Sequence, residues 1–268
     1  MPAGCSPMAR TAWPPSPKPV VKINRFLRRW LAPGWHPSAP NPVFAEALGS
    51  WASAPTDMRD HLWTIFREVL LVRPRLIVEL GTRGGVSTRA LLAAAEIADA
   101  HLLSIDIEDC ATIELPDRFR SRWSFVQSDD VLFSRQGFEE FCRQRGLPPL
   151  AQAILVDTSH SYDHTRREID AWMPHLDDPG VMLFHDTNSQ GGWYRRLDGR
   201  AEPGLDNPRA VIRAVEEFLG RRYDERSFFT DVVGGYVVQH MPWSSGLMSL
   251  RKQGSGQPPA AGPRGATS

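Results

Sequence analysis

The segment Leu76-Ile-Val-Glu79-Leu-Gly81-Thr-Arg-Gly84-Gly85, followed by Val86-Ser-Thr-Arg-Ala-Leu-Leu-Ala-Ala-Ala95, leaves the chain few ways to fold. An apolar run of strand length ends in a carboxylate, turns through glycines and enters a stretch of strong helix formers. A strand this apolar must be covered on both faces, which is the condition of a parallel sheet between helices. Glycines let the turn bend tightly and approach a ligand, and the first N–H groups of the following helix point at it. The segment predicts the strand–turn–helix of a nucleotide-binding α/β unit.

The rest of the chain repeats the alternation. Apolar residues at helical spacing predict a helix over Met58–Leu71, with Leu62, Ile65, Phe66, Val69 and Leu70 on one face. Strands are expected at Arg75–Leu80, His101–Asp106, Trp123–Gln127, Gln152–Asp157 and Val181–His185. Helices at Val86–Ile97, Val131–Arg145 and Tyr162–His175 separate them. A helix at Pro208–Leu219 leads to two closing strands, Arg226–Thr230 and Gly235–His240. These two are too close in sequence for a helical crossover, so they pair antiparallel. The expectation is an α/β fold with a mostly parallel sheet covered on both faces.

Composition narrows the class. The chain has 268 residues, 41% hydrophobic and 23% charged, which suits one domain with a full core. No apolar run is long enough to span a bilayer, and the N-terminus shows no secretory pattern, so a cytoplasmic protein is expected. Cys5, Cys110 and Cys142 lack paired spacing, which favours reduced thiols over disulfides or a zinc site. Residues 1–45 hold six basic residues and no acid, and residues 251–268 three more and no acid, leaving about −9 on residues 46–250. An acidic body speaks against nucleic acid as the partner and suits a site that gathers carboxylates around a cation.

Residues 1–20 and 251–268 are rich in Pro, Gly, Ala and Ser and are expected to be disordered tails. Residues 21–57 form an N-terminal extension, and residues 58–250 the folded domain. The extension contains the basic, partly amphipathic Val21–Leu31, either a helix packed on the body or a surface for a membrane or partner. The segment before residue 58 could also mediate homo-oligomer formation.

The glycine turn separates two kinds of cofactor. A dinucleotide fingerprint needs G-x-G-x-x-G, but here the glycines fall at 81, 84 and 85, with Arg83 in the second position. An NAD-dependent oxidoreductase is therefore the weaker alternative, and the lack of a Tyr-x-x-x-Lys dyad agrees. Glu79 stands two residues before the first glycine. Asp106 ends the second strand, where an acid can accept both hydroxyls of a ribose. Val126-Gln-Ser128-Asp129-Asp130 follows the third strand and could meet an adenine edge.

These features resemble the class I S-adenosylmethionine-dependent methyltransferases over about residues 58–240. The resemblance implies a Rossmann-like three-layer sandwich, with a seven-stranded, mostly parallel sheet whose last strand is antiparallel. It implies that Gly81 and Gly85 line the methionine part of S-adenosylmethionine, with Glu79 anchoring its amino group directly or through water, and that Ser87 also binds the cofactor. Asp106 would bind the ribose, and Ser128 and Asp129 the adenine side. Arg83 is bulkier than the commonest form of this turn.

The fourth and fifth strands end in Asp157-Thr-Ser-His160-Ser-Tyr162 and Phe184-His185-Asp186-Thr187-Asn188. Neighbouring parallel strands lie about 5 Å apart, so Asp157 and Asp186 can converge. Paired carboxylates stay ionised most readily around a cation, and oxygen ligands suit magnesium. Either aspartate could instead hydrogen-bond substrate or cofactor. His185 or Asn188 could complete or support the shell. The pattern resembles bacterial metal-dependent O-methyltransferases that act on sugars and natural products, the macrocin-type enzymes among them. It implies that Asp157 and Asp186 bind the metal and that His160 is the general base for a small-molecule hydroxyl. His160 could also cap the helix it precedes, beside Ser159 and Ser161.

His164 and Glu168 share that helix at a spacing that can bind metal, although a solvated face is the plainer reading. The stretch from Ser189 to Asn207, with Trp193 and Tyr194, is expected to be a long loop over the acceptor site. An alternative function on the same fold is a cofactor-binding pathway protein without methyl transfer.

Overall fold

The computed structural model describes residues 56–253. The expectations for residues 1–20, for Val21–Leu31 and for the last residues, 254–268, lie outside these.

An eight-stranded sheet carries the fold, in the order β3-β2-β1-β4-β5-β10-β9-β8. Its strands are β1 (Leu76–Leu80), β2 (His101–Asp106), β3 (Trp123–Gln127), β4 (Ala151–Val156), β5 (Leu176–His185), β8 (Phe229–Val233), β9 (Tyr236–Met241) and β10 (Leu247–Lys252). The first five pair in parallel, and β10 runs antiparallel to both β5 and β9. This is the expected Rossmann-like arrangement with an antiparallel last strand, but with eight strands instead of seven.

β10 is the addition. It inserts between β5 and β9, and its first four residues are buried. It also continues two residues past the expected domain boundary at residue 250. A strand covered on both faces lacks the polar–apolar alternation by which short strands are recognised.

The helices are α1 (Leu62–Leu71), α2 (Val86–Ala98), the short α3 (Asp117–Arg120), α4 (Asp130–Gln136), α5 (Phe138–Gln144), α6 (Tyr162–Trp172) and α7 (Ala210–Leu219). Alternation along each strand sorts the core into two layers. Leu76, Val78 and Leu80 of β1 pack with Phe138, Trp172 and Ile212 on the side of α4–α7. Ile77 packs on the other side with Leu62, Ile65 and Val69 of α1 and Leu91 and Ala94 of α2. All five residues of β1 and all six of β4 are buried, as continuous apolar strands require.

Two expected helices are divided. Met58–Leu71 starts as a 3-10 turn, Asp57–Asp60, capped by Thr56, before α1 begins beyond His61. Val131–Arg145 breaks at Gly137 into α4 and α5. The expected loop from Ser189 to Asn207 contains an antiparallel hairpin, β6 (Trp193–Arg195) and β7 (Ala201–Pro203). No helix of the described residues is long and apolar enough to cross a membrane.

From β1 the chain winds outward to β3, then returns to β4 beside β1. The switch point between β1 and β4 opens a crevice beyond their carboxyl ends, where ligands of such sheets bind.

Candidate active site

The glycine turn is packed tightly against the loop after β4. Gly81 has φ +88°, and a Cβ there would stand 2.0 Å from the carbonyl oxygen of Asp157. Only glycine fits this approach. Arg83 also adopts a positive φ, 44°. Asp106 holds the turn in place. Its Oδ2 accepts the N–H groups of Thr82 (2.7 Å) and Arg83 (3.1 Å), and Oδ1 that of Glu108 (2.9 Å). Burial opposes its charge, but these N–H donors prevail and its pKa falls below the ordinary value.

Glu79 lies beneath the turn, on the α2 side of β1, and is completely buried. Its carboxylate accepts hydrogen bonds from Ser87 Oγ (2.6 Å), Thr88 Oγ1 (2.9 Å) and Ser104 Oγ (2.6 Å). Trp123 Nε1 donates in turn to Ser104 Oγ at 3.0 Å. Burial outweighs these donors and raises the Glu79 pKa from 4.5 to about 7.

Two clefts open beyond the strand ends and share Arg83 and Asp157 as a common border. The first, about 480 Å³, is bordered by Gly81, Asp106, Glu108, Ser128 and Asp129 among others. The second, about 560 Å³, takes in Ser87, Asp157, His160, His185 and Asp186. Glu79 and Gly85 border neither cleft. Glu79 reaches that region only through the Ser87 hydroxyl, and Gly85 is turned against Ile113, whose Cδ1 would stand 2.7 Å from a Cβ. In the first cleft Asp129 also caps α4, its Oδ1 accepting from Leu132 N at 2.8 Å.

In the second cleft two histidines and two aspartates converge. His160 Nδ1 is 3.1 Å from Asp186 Oδ2 and 3.9 Å from Asp157 Oδ1. His185 Nδ1 is 2.9 Å from Asp186 Oδ2 and 3.4 Å from Asp157 Oδ1. Ser189 Oγ donates to Asp186 Oδ1 at 2.7 Å. His160 and Asp186 both hold positive φ, 54° and 56°, the kind of backbone strain that clusters at functional sites. Asn207 Nδ2 donates to the carbonyl oxygens of both, at 3.2 and 3.4 Å, and so ties them together.

The electrostatics follow from burial. Desolvation works against a charged His185, but the Asp186 and Asp157 carboxylates overcome it and raise its pKa well above the ordinary value. Burial likewise opposes the charge on Asp186, and the cationic His185 reverses that and lowers its pKa. An imidazolium between two carboxylates holds the place of a cation. The donor set fits a divalent ion: atoms of Asp157, His160 and Asp186 all lie within 4.8 Å of one another, as do those of Asp57, His185 and Asp186.

Several expectations need adjustment. The cap of α6 is Ser161, whose Oγ accepts from His164 N at 3.4 Å, so the His160 imidazole is free of that task. Asn188 is turned away, its Nδ2 donating to Pro242 O at 2.6 Å, and does not join the carboxylates. His164 and Glu168 do not form a solvated face. Glu168 is fully buried, and burial together with the nearby Asp130 charge pushes its pKa up to about 8. Its Oε1 accepts from Thr158 Oγ1 at 2.6 Å, and Asp130 Oδ1 bonds His164 Nε2 at 2.9 Å. Of the two aromatic residues on the hairpin, Tyr194 borders the second cleft, while Trp193 is exposed outside it.

Asp57 also borders the second cleft and had no signal in the sequence, while Leu205, from the stretch expected over the acceptor site, borders it too. Asp57 arrives from more than a hundred residues away, placed by the 3-10 turn and by Ser245 Oγ, which donates to its Oδ2 at 3.0 Å.

Residues 78–187 match the family described as a methyltransferase domain. Comparison with curated proteins finds no match. Among solved structures, cofactor-bound Rv0187 from MTB aligns with a TM-score of 0.51 at 13% identity, over 85% of this chain and 95% of that one. A presumed caffeoyl-CoA O-methyltransferase from Staphylococcus aureus aligns with a TM-score of 0.50 at 14% identity, over 79% and 92%. The mycinamycin-pathway methyltransferase MycE, solved with Mg, SAH and mycinamycin VI, gives 0.48 at 16% identity. The alignment covers 82% of this chain and spans only 58% of MycE. Residues 78–187 thus match a methyltransferase domain, and the sheet order is that of a Rossmann-like methyltransferase fold.

Proposed function

We propose that the protein transfers the methyl group of S-adenosylmethionine to a hydroxyl of a small acceptor, a sugar or a natural product. The observation that carries this reading is the shared border of the two clefts. A donor in one and an acceptor in the other meet at Asp157, beside His160, His185 and Asp186.

In this reading the cofactor's adenosine occupies the first cleft. Ser128 and Asp129 border its adenine end. Asp106 meets the ribose with the capacity left on Oδ1. Glu108, which borders the same cleft, takes the second hydroxyl. The methionine end lies along Gly81 and Ser87, with Glu79 acting on it through the Ser87 hydroxyl.

The acceptor hydroxyl faces His160. His160 Nδ1 stands 3.1 Å from Asp186 Oδ2, and a proton kept on that side by the carboxylate leaves Nε2 as the basic nitrogen. As the acceptor oxygen attacks the methyl carbon, its proton passes to Nε2. S-adenosylmethionine, when bound, would supply an activated methyl group whose sulfonium leaves as a neutral thioether. The proton then leaves to solvent. Asp157 and Asp186 would hold a divalent cation, which when bound stabilises negative charge developing on the acceptor oxygen. The remaining task is alignment of oxygen, carbon and sulfur, which the rigid strand ends and the Gly81–Asp157 contact perform.

The test is an acceptor screen with methyl-labelled cofactor, followed by His160→Ala on the best acceptor. Turnover should fall about 10²- to 10⁴-fold while S-adenosylhomocysteine affinity is kept. An unchanged rate removes the base, and full turnover in excess chelator removes the cation.

A further inference from the structure

The cation site contains nitrogen as well as oxygen. His185, the last residue of β5, is buried and packs edge-on against His61, with ring centroids 5.3 Å apart at 75°. This packing fixes the ring with its Nδ1 edge toward both carboxylates. Two donors held by one ion at about 2.1 Å, in tetrahedral or octahedral array, stand about 2.9–3.4 Å apart. His185 Nδ1 meets both Asp186 and Asp157 at that spacing, 2.9 and 3.4 Å. His160 Nδ1 meets only Asp186 so closely and stands 3.9 Å from Asp157.

We propose that His185 Nδ1 is a direct ligand of the cation beside Asp157 and Asp186, and that it turns the site from magnesium toward a transition metal such as Mn2+ or Co2+. The proposal rests on the reading of the two aspartates as cation ligands. Magnesium takes oxygen donors and keeps much of its water. Imidazole favours the later first-row metals, whose affinity for nitrogen donors rises along the series. The carboxylates alone pointed to magnesium, and the imidazole edge alters the donor set. The ion replaces the Nδ1 proton, which leaves to solvent. His160 is left to act as base.

The experiment uses the full chain loaded with Mn2+, examined by pulsed electron paramagnetic resonance for coupling to a directly bound 14N nucleus. Mg2+ and Mn2+ affinities are measured in parallel by calorimetry. Wild-type protein should show the nitrogen coupling. His185→Glu should lose it, and should lower the preference for Mn2+ over Mg2+ about tenfold or more. His160→Gln should keep it. Mn2+ bound without nitrogen coupling overturns the proposal and leaves the aspartate site standing. Coupling that survives His185→Glu but vanishes in His160→Gln assigns the ligand to the other histidine and also overturns it. Failure of both metals to bind overturns both the proposal and the cation of the proposed mechanism. The wild-type spectrum decides the matter even if His185→Glu folds poorly.

Discussion

Glu79 offers a test of the cofactor floor that needs no knowledge of the acceptor. Its carboxyl is completely buried beneath the glycine turn, where burial raises its pKa from 4.5 to about 7 despite three hydroxyl donors. A rise of this size corresponds to about 3 kcal/mol, at about 1.4 kcal/mol per unit. The sign follows from proton counting. Above pH 4.5 the unfolded chain releases this proton, while the folded chain keeps it until about pH 7. Stability from this group is therefore complete below the unfolded value and lost as pH rises through the folded one. Glu79→Gln keeps the shape of the protonated acid and cannot titrate. Urea unfolding of both proteins from pH 4 to pH 8.5, taken as a difference, cancels most other titrating groups. Wild type should lose about 3 kcal/mol relative to the variant across that range, with the steep part between pH 5 and 7. A flat difference would refute the assigned burial of an ionisable Glu79. A difference of opposite sign would mean that the hydroxyls outweigh desolvation.

Three other perturbations separate structure from chemistry. Gly81→Ala forces a Cβ to within 2.0 Å of the Asp157 carbonyl at φ +88°, and should cost about 3 kcal/mol or more in the urea midpoint at unchanged slope; a loss under about 1 kcal/mol would show that the turn can move aside. Asp106→Ala should weaken S-adenosylhomocysteine binding and lower the melting temperature together, because Asp106 braces the turn, whereas Glu108→Ala should weaken binding alone; equal melting losses would make both residues structural. Arg196 is buried, pairs with Glu202 of the hairpin (3.1 Å) and ties it to Asp60 (3.0 Å). Arg196→Ala should loosen the hairpin and speed proteolysis within residues 193–205; an unchanged cleavage rate would show that the hairpin is held by other contacts.

The parts of this site that could be read from the sequence share a physical property. Glu79, Gly81 and Asp106 lie within one strand–turn–helix–strand unit, and the parallel sheet fixes their spacing whatever surrounds them. Asp157, His160 and Asp186 could be paired because parallel neighbours bring their carboxyl ends to one edge. What could not be read depends on elements far apart in sequence. Glu168 looks like a solvated residue until Asp130 is packed over it. Asp57 joins the cleft only because α1 lies against the sheet and the loop before β10 supplies Ser245. β10 itself was hidden by its central place.

His185 belongs to both groups, and this is why its role changed. Its position beside Asp186 was visible in the sequence, but adjacent residues on a strand ordinarily point to opposite faces. On that rule His185 should face away from the carboxylates. The positive φ of Asp186, 56°, ends the strand geometry at that residue and swings its carboxylate back over the His185 ring. Asn207 and Ser189 hold the turned backbone in place. The backbone strain at Asp186 and the place of the His185 nitrogen beside both carboxylates are thus one feature. A residue that relaxed this turn should separate His185 from Asp186 even with both side chains intact. Asn207→Ala, which removes only the clamp, should weaken Mn2+ binding several-fold and leave the ligands in place. If Asn207→Ala leaves Mn2+ affinity unchanged, the turn is held by its own packing, and the clamp plays no part in shaping the site.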